Sequence, residues 1–201
     1  DNSKHAMSTY AENHSHSLPI IGNLKQADIM SKVISSANSL DVDLITGGPP
    51  CQGFSIAGWR DPNDEKNKLF RQFHTAVEAL QPKIFIMENV PGITSADKGK
   101  TFATITKSFE DLDYELTIFK LKADQYGIPQ RRTRVFVVGS STGQTFSEPE
   151  PLTNKKELHP WITCEEAVGD LPATVNDIDV NVPYKCPAQS EYQKLMRDEI
   201  L

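Results

Sequence analysis

The stretch KIFIMENV, residues 83–90, constrains the fold more than any other part of this sequence. Four consecutive apolar residues, Ile84 to Met87, leave no alternation between a wet and a dry face. A strand of this kind is covered on both sides, as in the parallel sheets of α/β proteins. Its surroundings agree. Upstream, VDLIT (42–46) reads as a second buried strand, stopped by Gly-Gly-Pro-Pro. Between the two, KLFRQFHTAVEALQ (68–81) sets Leu69, Phe70, Phe73, Ala76, Val77 and Leu80 on one helical face and ends before Pro82. Further helices are predicted over SKHAMSTYAENH, ADIMSKVISSANSL and TFATITKSFEDL. YELTIFKLKA and RVFVVGSS read as a closing pair of strands around the loop DQYGIPQRRT. Strand, helix, strand, helix predicts a doubly wound α/β sheet.

Beyond Ser140 the composition changes. TGQTFSEPEPLTNKKELHP is rich in Pro, Thr, Ser and charge and reads as a linker; a short helix around TCEEAVGDL and a Pro-rich polar tail follow. The predicted division is 1–145 and 146–201.

Bulk properties narrow the function classes. The chain has 201 residues, 38 % hydrophobic and 24 % charged, with a net charge of −6. No apolar run approaches the ~20 residues of a membrane span. A duplex-binding protein usually shows a basic surface, so the acidic balance argues mildly against nucleic acid unless a local basic patch exists. Three cysteines without a CxxC pair argue against a disulfide framework and for a reducing interior. The five histidines give no ligand pattern, so no metal is expected. The chain starts at Asp1 rather than Met, which reads as a processed, trimmed or cut beginning.

Three segments stand out for chemistry. In TGGPPCQGFS (46–55), Cys51 sits in a turn that cannot continue a strand. Pro49 and Pro50 restrict φ there, while Gly47, Gly48 and Gly53 allow sharp turns and close approach of a ligand. A nucleophilic thiol must be exposed and fixed in direction; an inert buried thiol is the equal alternative. Glu88, after four apolar residues, is partly withdrawn from water and suits proton donation, or it serves as a strand-end carboxylate bound to an amide or a lysine. In QRRTR, an extended backbone sends Arg132 and Arg134 to one side and Arg131 to the other. Two guanidiniums on one side suit a phosphate or a base carbonyl; a solvated loop tip is the alternative. The turn after the first strand and the end of KIFIMENV both fall at carboxyl ends of strands, where open α/β sheets bind ligands.

Taken together and in this order, GGPPCQGFS, ENVPG and YGIPQRRTRVFVVG resemble the cytosine-carbon-5 DNA methyltransferase family, from Asp1 to about Leu171. The resemblance implies a Rossmann-like, S-adenosylmethionine-dependent methyltransferase sheet. It implies Cys51 as the nucleophile toward cytosine carbon-6, Glu88 at ring nitrogen-3, Arg134 at the base carbonyl and Arg132 at the base or a nearby phosphate. Asp1 falls where the family binds the cofactor's ribose and Asp28 where it meets the adenine amino group, with Ile29 against the ring. Asp1 and Asp28 also read as ordinary surface carboxylates. Pro50 and Leu69 are implied at the cofactor, and Gln52 and Ser55 at the nucleic acid. The target base would be flipped from double-stranded DNA, and 52–68, rich in Gly, Pro, Asn and Asp, reads as a loop that closes over it.

The family's Gly-rich cofactor turn and its late elements do not occur between Asp1 and Leu201. The expected sheet is therefore incomplete at both ends, with 146–201 the start of a target-recognition region. The isolated chain is expected to be weak or inactive unless a complementing chain or further segments of the same protein supply the rest. Motif style favours a prokaryotic modification enzyme in the cytoplasm, associated with the nucleoid; a eukaryotic one would be nuclear. Two alternatives remain: a tRNA cytosine-5 methyltransferase, and a non-catalytic DNA-binding or regulatory relative.

Overall fold

The computed structural model describes residues 1–50, 68–153, 160–172, 182–184 and 186–199. Helix α1 (Lys4–Asn13) starts at Ser3, whose hydroxyl accepts the Ala6 N–H, and buries none of its residues. Helix α2 (Ala27–Ser39) buries only Met30. Strand β1 (Leu44–Gly47), helix α3 (Lys68–Leu80) and strand β2 (Ile84–Asn89) follow, in the order the apolar periodicity predicts. Helix α4 (Lys100–Glu110) comes after two 3-10 turns, and Gly99, at φ 85°, forms its amino-terminal cap. Strands β3 (Glu115–Lys122) and β4 (Thr133–Ser140) complete a four-stranded sheet in the order β1-β2-β4-β3.

The fold class is α/β as expected, but the sheet is mixed. β1 runs parallel to β2, with Leu44 opposite Ile84 and Gly47 opposite Met87. β4 runs antiparallel to β2, with Phe85 opposite Gly139 and Asn89 opposite Val135. β2 is therefore not symmetrically dry. Phe85, Met87 and Asn89 are buried, whereas Ile84, Ile86 and Glu88 are half-buried on the other face. On the dry face, Phe85 and Met87 join Val135 and Val137 of β4, Phe73 and Val77 of α3, and Ile105 and Phe109 of α4. Aromatic edges build much of this core. Phe109 packs edge-on against Phe70 and Phe73, and its centroid lies 4.3 Å from that of Phe85. Tyr114 is buried beside them and donates its hydroxyl to the Pro82 carbonyl at 2.6 Å.

The chain forms two compact units. The first contains residues 1–120 and 134–148; the second contains 121–133 and 149–201. Within the second unit, the stretch after β3 is tied to the stretch after residue 148. The Gln125 carbonyl accepts the Leu152 and Thr153 N–H groups, the Thr153 hydroxyl donates to Asp124, and Tyr126 donates to Pro149. Helix α5 (Cys164–Val168) carries a capping box of Thr163 and Glu166. Helix α6 (Glu191–Met196), in the stretch read as a polar tail, is capped by Ser190. Arg197 forms an ion pair with Asp170, donates to the Cys186 carbonyl at 2.9 Å and lies 3.6 Å over the Tyr184 ring.

Candidate active site

Parallel pairing of β1 with β2 sends both carboxyl ends to the same edge of the sheet. Continuing the register past Gly47–Met87 sets Gly48 beside Glu88 and Pro49 beside Asn89. The contacts follow this geometry. A Cβ on Gly48 would lie 3.1 Å from Glu88 Oε2, so the absent side chain is what lets the carboxylate lie along the turn. Pro49 is buried and Pro50 exposed. The Pro49 carbonyl accepts the Asn89 side-chain amide at 3.0 Å, and Asn89 Oδ1 accepts the Val90 N–H at 2.9 Å.

Antiparallel pairing brings the third component. Glu88 lies opposite Phe136, so Arg134, two residues earlier on the same face of β4, is its diagonal neighbour. Arg134 Nε lies 2.6 Å from Glu88 Oε1, with the two side chains 19 % and 36 % exposed. Glu88 is thus held by a guanidinium at the sheet edge, partly withdrawn from water as its place after IFIM suggests. A charge-assisted contact of this kind fixes the direction of both groups.

Among the other predicted residues, Cys51, Gln52 and Ser55 lie outside the described residues, as does nearly all of the 52–68 loop. The Leu69 backbone belongs to α3, and its side chain is likewise outside the description. Arg132 is exposed in the second unit, where its carbonyl accepts the Ala123 N–H at 2.8 Å. Arg131, in the same unit, lies 6.0 Å from the Trp161 ring centroid.

Asp1 and Ile29 are gathered around one glycine. The Gly22 N–H donates to the Asp1 carbonyl at 2.9 Å, and Gly22 packs against Ile29. Asp1 Oδ1 accepts the Ser3 N–H at 2.8 Å, and Asp28 stands exposed in the first turn of α2. Two exposed carboxylates with a half-buried isoleucine suit a nucleoside, which offers hydroxyl and amino donors and a flat apolar ring. Asn89 is the residue sequence reasoning missed. Its only signal is its place beside Glu88, at the point where the parallel register meets a proline carbonyl.

The sheet, its crowded carboxyl edge and its solved neighbours define an α/β methyltransferase fold. An E. coli prophage protein described as a DNA modification methyltransferase superposes with a TM-score of 0.63 at 32 % identity, covering 87 % of this chain and 48 % of that one. Type II methyltransferase M.AgeI of Thalassovita gelatinovora is 33 % identical over 220 residues, 98 % of this chain and 51 % of that protein. Type II methyltransferase M.AquIA of a Picosynechococcus strain is 38 % identical over 167 residues, 72 % of this chain and 67 % of that protein. The sequence model of the C-5 cytosine-specific DNA methylases matches residues 1–197, and the chain belongs to that family. It spans about half the length of M.AgeI.

Proposed function

We propose that this chain carries the catalytic centre of a DNA (cytosine-5-)-methyltransferase, acting on cytosine flipped out of double-stranded DNA. The observation that supports it best is the Glu88–Arg134 pair, 2.6 Å apart, lying against the Gly48–Pro49 turn that leads into Cys51. S-adenosylmethionine supplies an electrophilic methyl group when bound; Asp1, Asp28 and Ile29 would hold its nucleoside, with Pro50 and Leu69 beside it.

Cys51, as thiolate, forms a bond to carbon-6 of the base. The electrons of the 5,6 double bond shift into the ring, and carbon-5 becomes nucleophilic. Charge then gathers at nitrogen-3 and the carbonyl oxygen, where Glu88, as the protonated carboxyl, donates its proton to nitrogen-3 and the Arg134 guanidinium donates to the oxygen. Arg132 steadies the base or a neighbouring phosphate, and Gln52 and Ser55 contact the nucleic acid. Once carbon-5 carries the methyl group, a base removes its proton. The released electron pair restores the double bond and expels the Cys51 thiolate. One difficult substitution is thereby divided into easier steps. The bacterial relatives suggest modification of DNA in the cytoplasm of a prokaryote.

The test uses duplex DNA bearing 5-fluorocytosine, with tRNA as competitor. The expected result is a covalent adduct that peptide mapping places on Cys51 and that Cys51→Ser lacks. Methyl transfer without any adduct would remove the nucleophile assignment, and transfer to tRNA alone would replace the substrate.

A further inference from the structure

We propose that the loop 121–133 of the second unit is a contact for the phosphate backbone of duplex DNA. Lys122 and Arg131 join Arg132 there, and Trp161 sets the direction of Arg131. The choice of DNA rests on the methyltransferase reading; the cationic surface does not.

The chain is acidic, with 27 Asp and Glu against 21 Lys and Arg. Several of its cations accordingly face a carboxylate: Lys83 pairs with Asp43, Lys107 with Asp111, Lys194 with Glu191 and Arg197 with Asp170. Lys122, Arg131 and Arg132 do not. All three are exposed, and among the described residues none has a carboxylate within ion-pair distance. Asp124 is the single acidic residue in 121–133. Three cations against one carboxylate make a local basic patch on an acidic chain, which is what a polyanionic partner requires.

The backbone keeps this patch together. The Ala123 N–H donates to the Arg132 carbonyl at 2.8 Å, which sets Lys122 beside the two arginines. The 3-10 turn Ala123–Tyr126 closes on Gly127, whose φ of 76° a side chain would resist. Leu152, Thr153 and Pro149 brace the same turn. Like charges held on one short loop repel, and an anion laid across them relieves the repulsion. Arg131 Cζ lies 6.0 Å from the Trp161 ring centroid, the outer reach of a cation–π contact. An arginine gives up much rotamer freedom when it meets a phosphate, and a ring that already restricts it lowers that cost. Arg134, proposed at the base, follows Arg132 by two residues, so this backbone contact lies next to the base contact along the chain.

The test is nuclear magnetic resonance of the whole chain, which detects weak binding and needs no methyl transfer. A short DNA duplex added at low salt should move the Nε–H resonances of Arg131 and Arg132. That of Arg197, buried against Asp170, should stay in place. Affinities fitted from the Arg132 shift should fall steeply with salt, and Lys122→Gln and Arg131→Gln should each lower the slope of log K against log salt by about 0.9. Trp161→Leu should keep the slope, weaken binding about two- to fivefold and change nothing in an Arg131→Gln background. Should Trp161→Leu not fold, Trp161→Phe, whose ring attracts a cation less, takes its place. Resonances that duplex leaves unmoved, or slopes that neither substitution changes, would overturn the contact. Equal weakening by Trp161→Leu in both backgrounds would overturn the role of Trp161. Inorganic phosphate acting as strongly as duplex at matched phosphate concentration would reduce the loop to an ion site and overturn the proposal, and tRNA acting more strongly would overturn the choice of DNA. A Cys51 adduct with the arginines unmoved sinks this contact alone; a missing adduct with the arginines moved counts against the catalytic reading and leaves the contact standing.

Discussion

Gly48→Ala, made with and without the Glu88 side chain, measures how tightly the carboxylate is held against the turn. Gly48 is not among the residues with positive φ, so alanine can adopt its backbone. The substitution then stabilises by about 0.4–1 kcal/mol by restricting the unfolded chain. Against this stands a new Cβ 3.1 Å from Glu88 Oε2 and 3.9 Å from the Glu88 carbonyl oxygen. The carboxylate cannot retreat freely, because Oε1 is held by Arg134 at 2.6 Å. Moving it by a few tenths of an ångström pushes its torsions off their minima, at about 0.5–1.5 kcal/mol. In the native background the two effects nearly cancel. With Glu88→Ala in place only the gain survives. Urea unfolding of the four proteins should therefore give a coupling of about 1 kcal/mol, read on the transition of the unit containing residues 48 and 88. A coupling below about 0.3 kcal/mol, the additivity of independent sites, would refute the close contact. Methyl transfer should fall in Gly48→Ala alone, since the displaced carboxylate is the one proposed to meet the base.

Two further outcomes concern stability. Tyr114→Phe should cost about 1–2 kcal/mol, because among the described residues the Pro82 carbonyl then keeps the Ser141 hydroxyl, at 3.4 Å. Burial also pushes the Tyr114 phenol above its usual value. Its contribution is present below the unfolded value of about 10 and is lost as pH rises through the folded one. The wild-type urea midpoint should thus fall more steeply above pH ~10 than that of Tyr114→Phe, and parallel curves would contradict this. In the second unit, Asp170→Ala leaves a guanidinium only 9 % exposed with the Cys186 carbonyl at 2.9 Å and Glu199 at 3.6 Å as its remaining acceptors. A loss near the lower end of the ~3–5 kcal/mol for a broken buried pair is expected in denaturant unfolding, and less than about 1 kcal/mol would show that the pair carries little.

The strands and long helices were legible because α3 and α4 announce themselves by periodicity and β2 by its unbroken apolar run. The meeting of Gly48 with Glu88 was legible in outline, since parallel strands must end at one edge. The antiparallel seating of β4 beside β2 was not: an apolar run such as RVFVVG fits either direction, and hydrogen-bond register leaves no mark on composition. Glu88 was expected to be partly withdrawn from water because IFIM precedes it, and it is half-buried. Its direct contact with Arg134 was not legible, because it follows from the antiparallel register of β4. Asn89 escaped notice because an asparagine at a strand end ordinarily reads as a turn residue; only the coordinates reveal which carbonyl it reaches. Helix α6 was hidden by its Pro-rich surroundings, although Ser190 and Gln193 have the spacing of a capping pair.

The second unit has a peculiar history during synthesis. Its first stretch, 121–133, leaves the ribosome ahead of β4, whereas the residues that brace it, Leu152, Thr153 and Trp161, arrive only later. At translation speeds of about 5–20 residues per second, the arginine-bearing loop waits a second or more for its support. Any nascent chain halted near residue 148 would display Arg131 and Arg132 on an unbraced tip, so a polypeptide shortened there would not amount to the first unit with a clean edge.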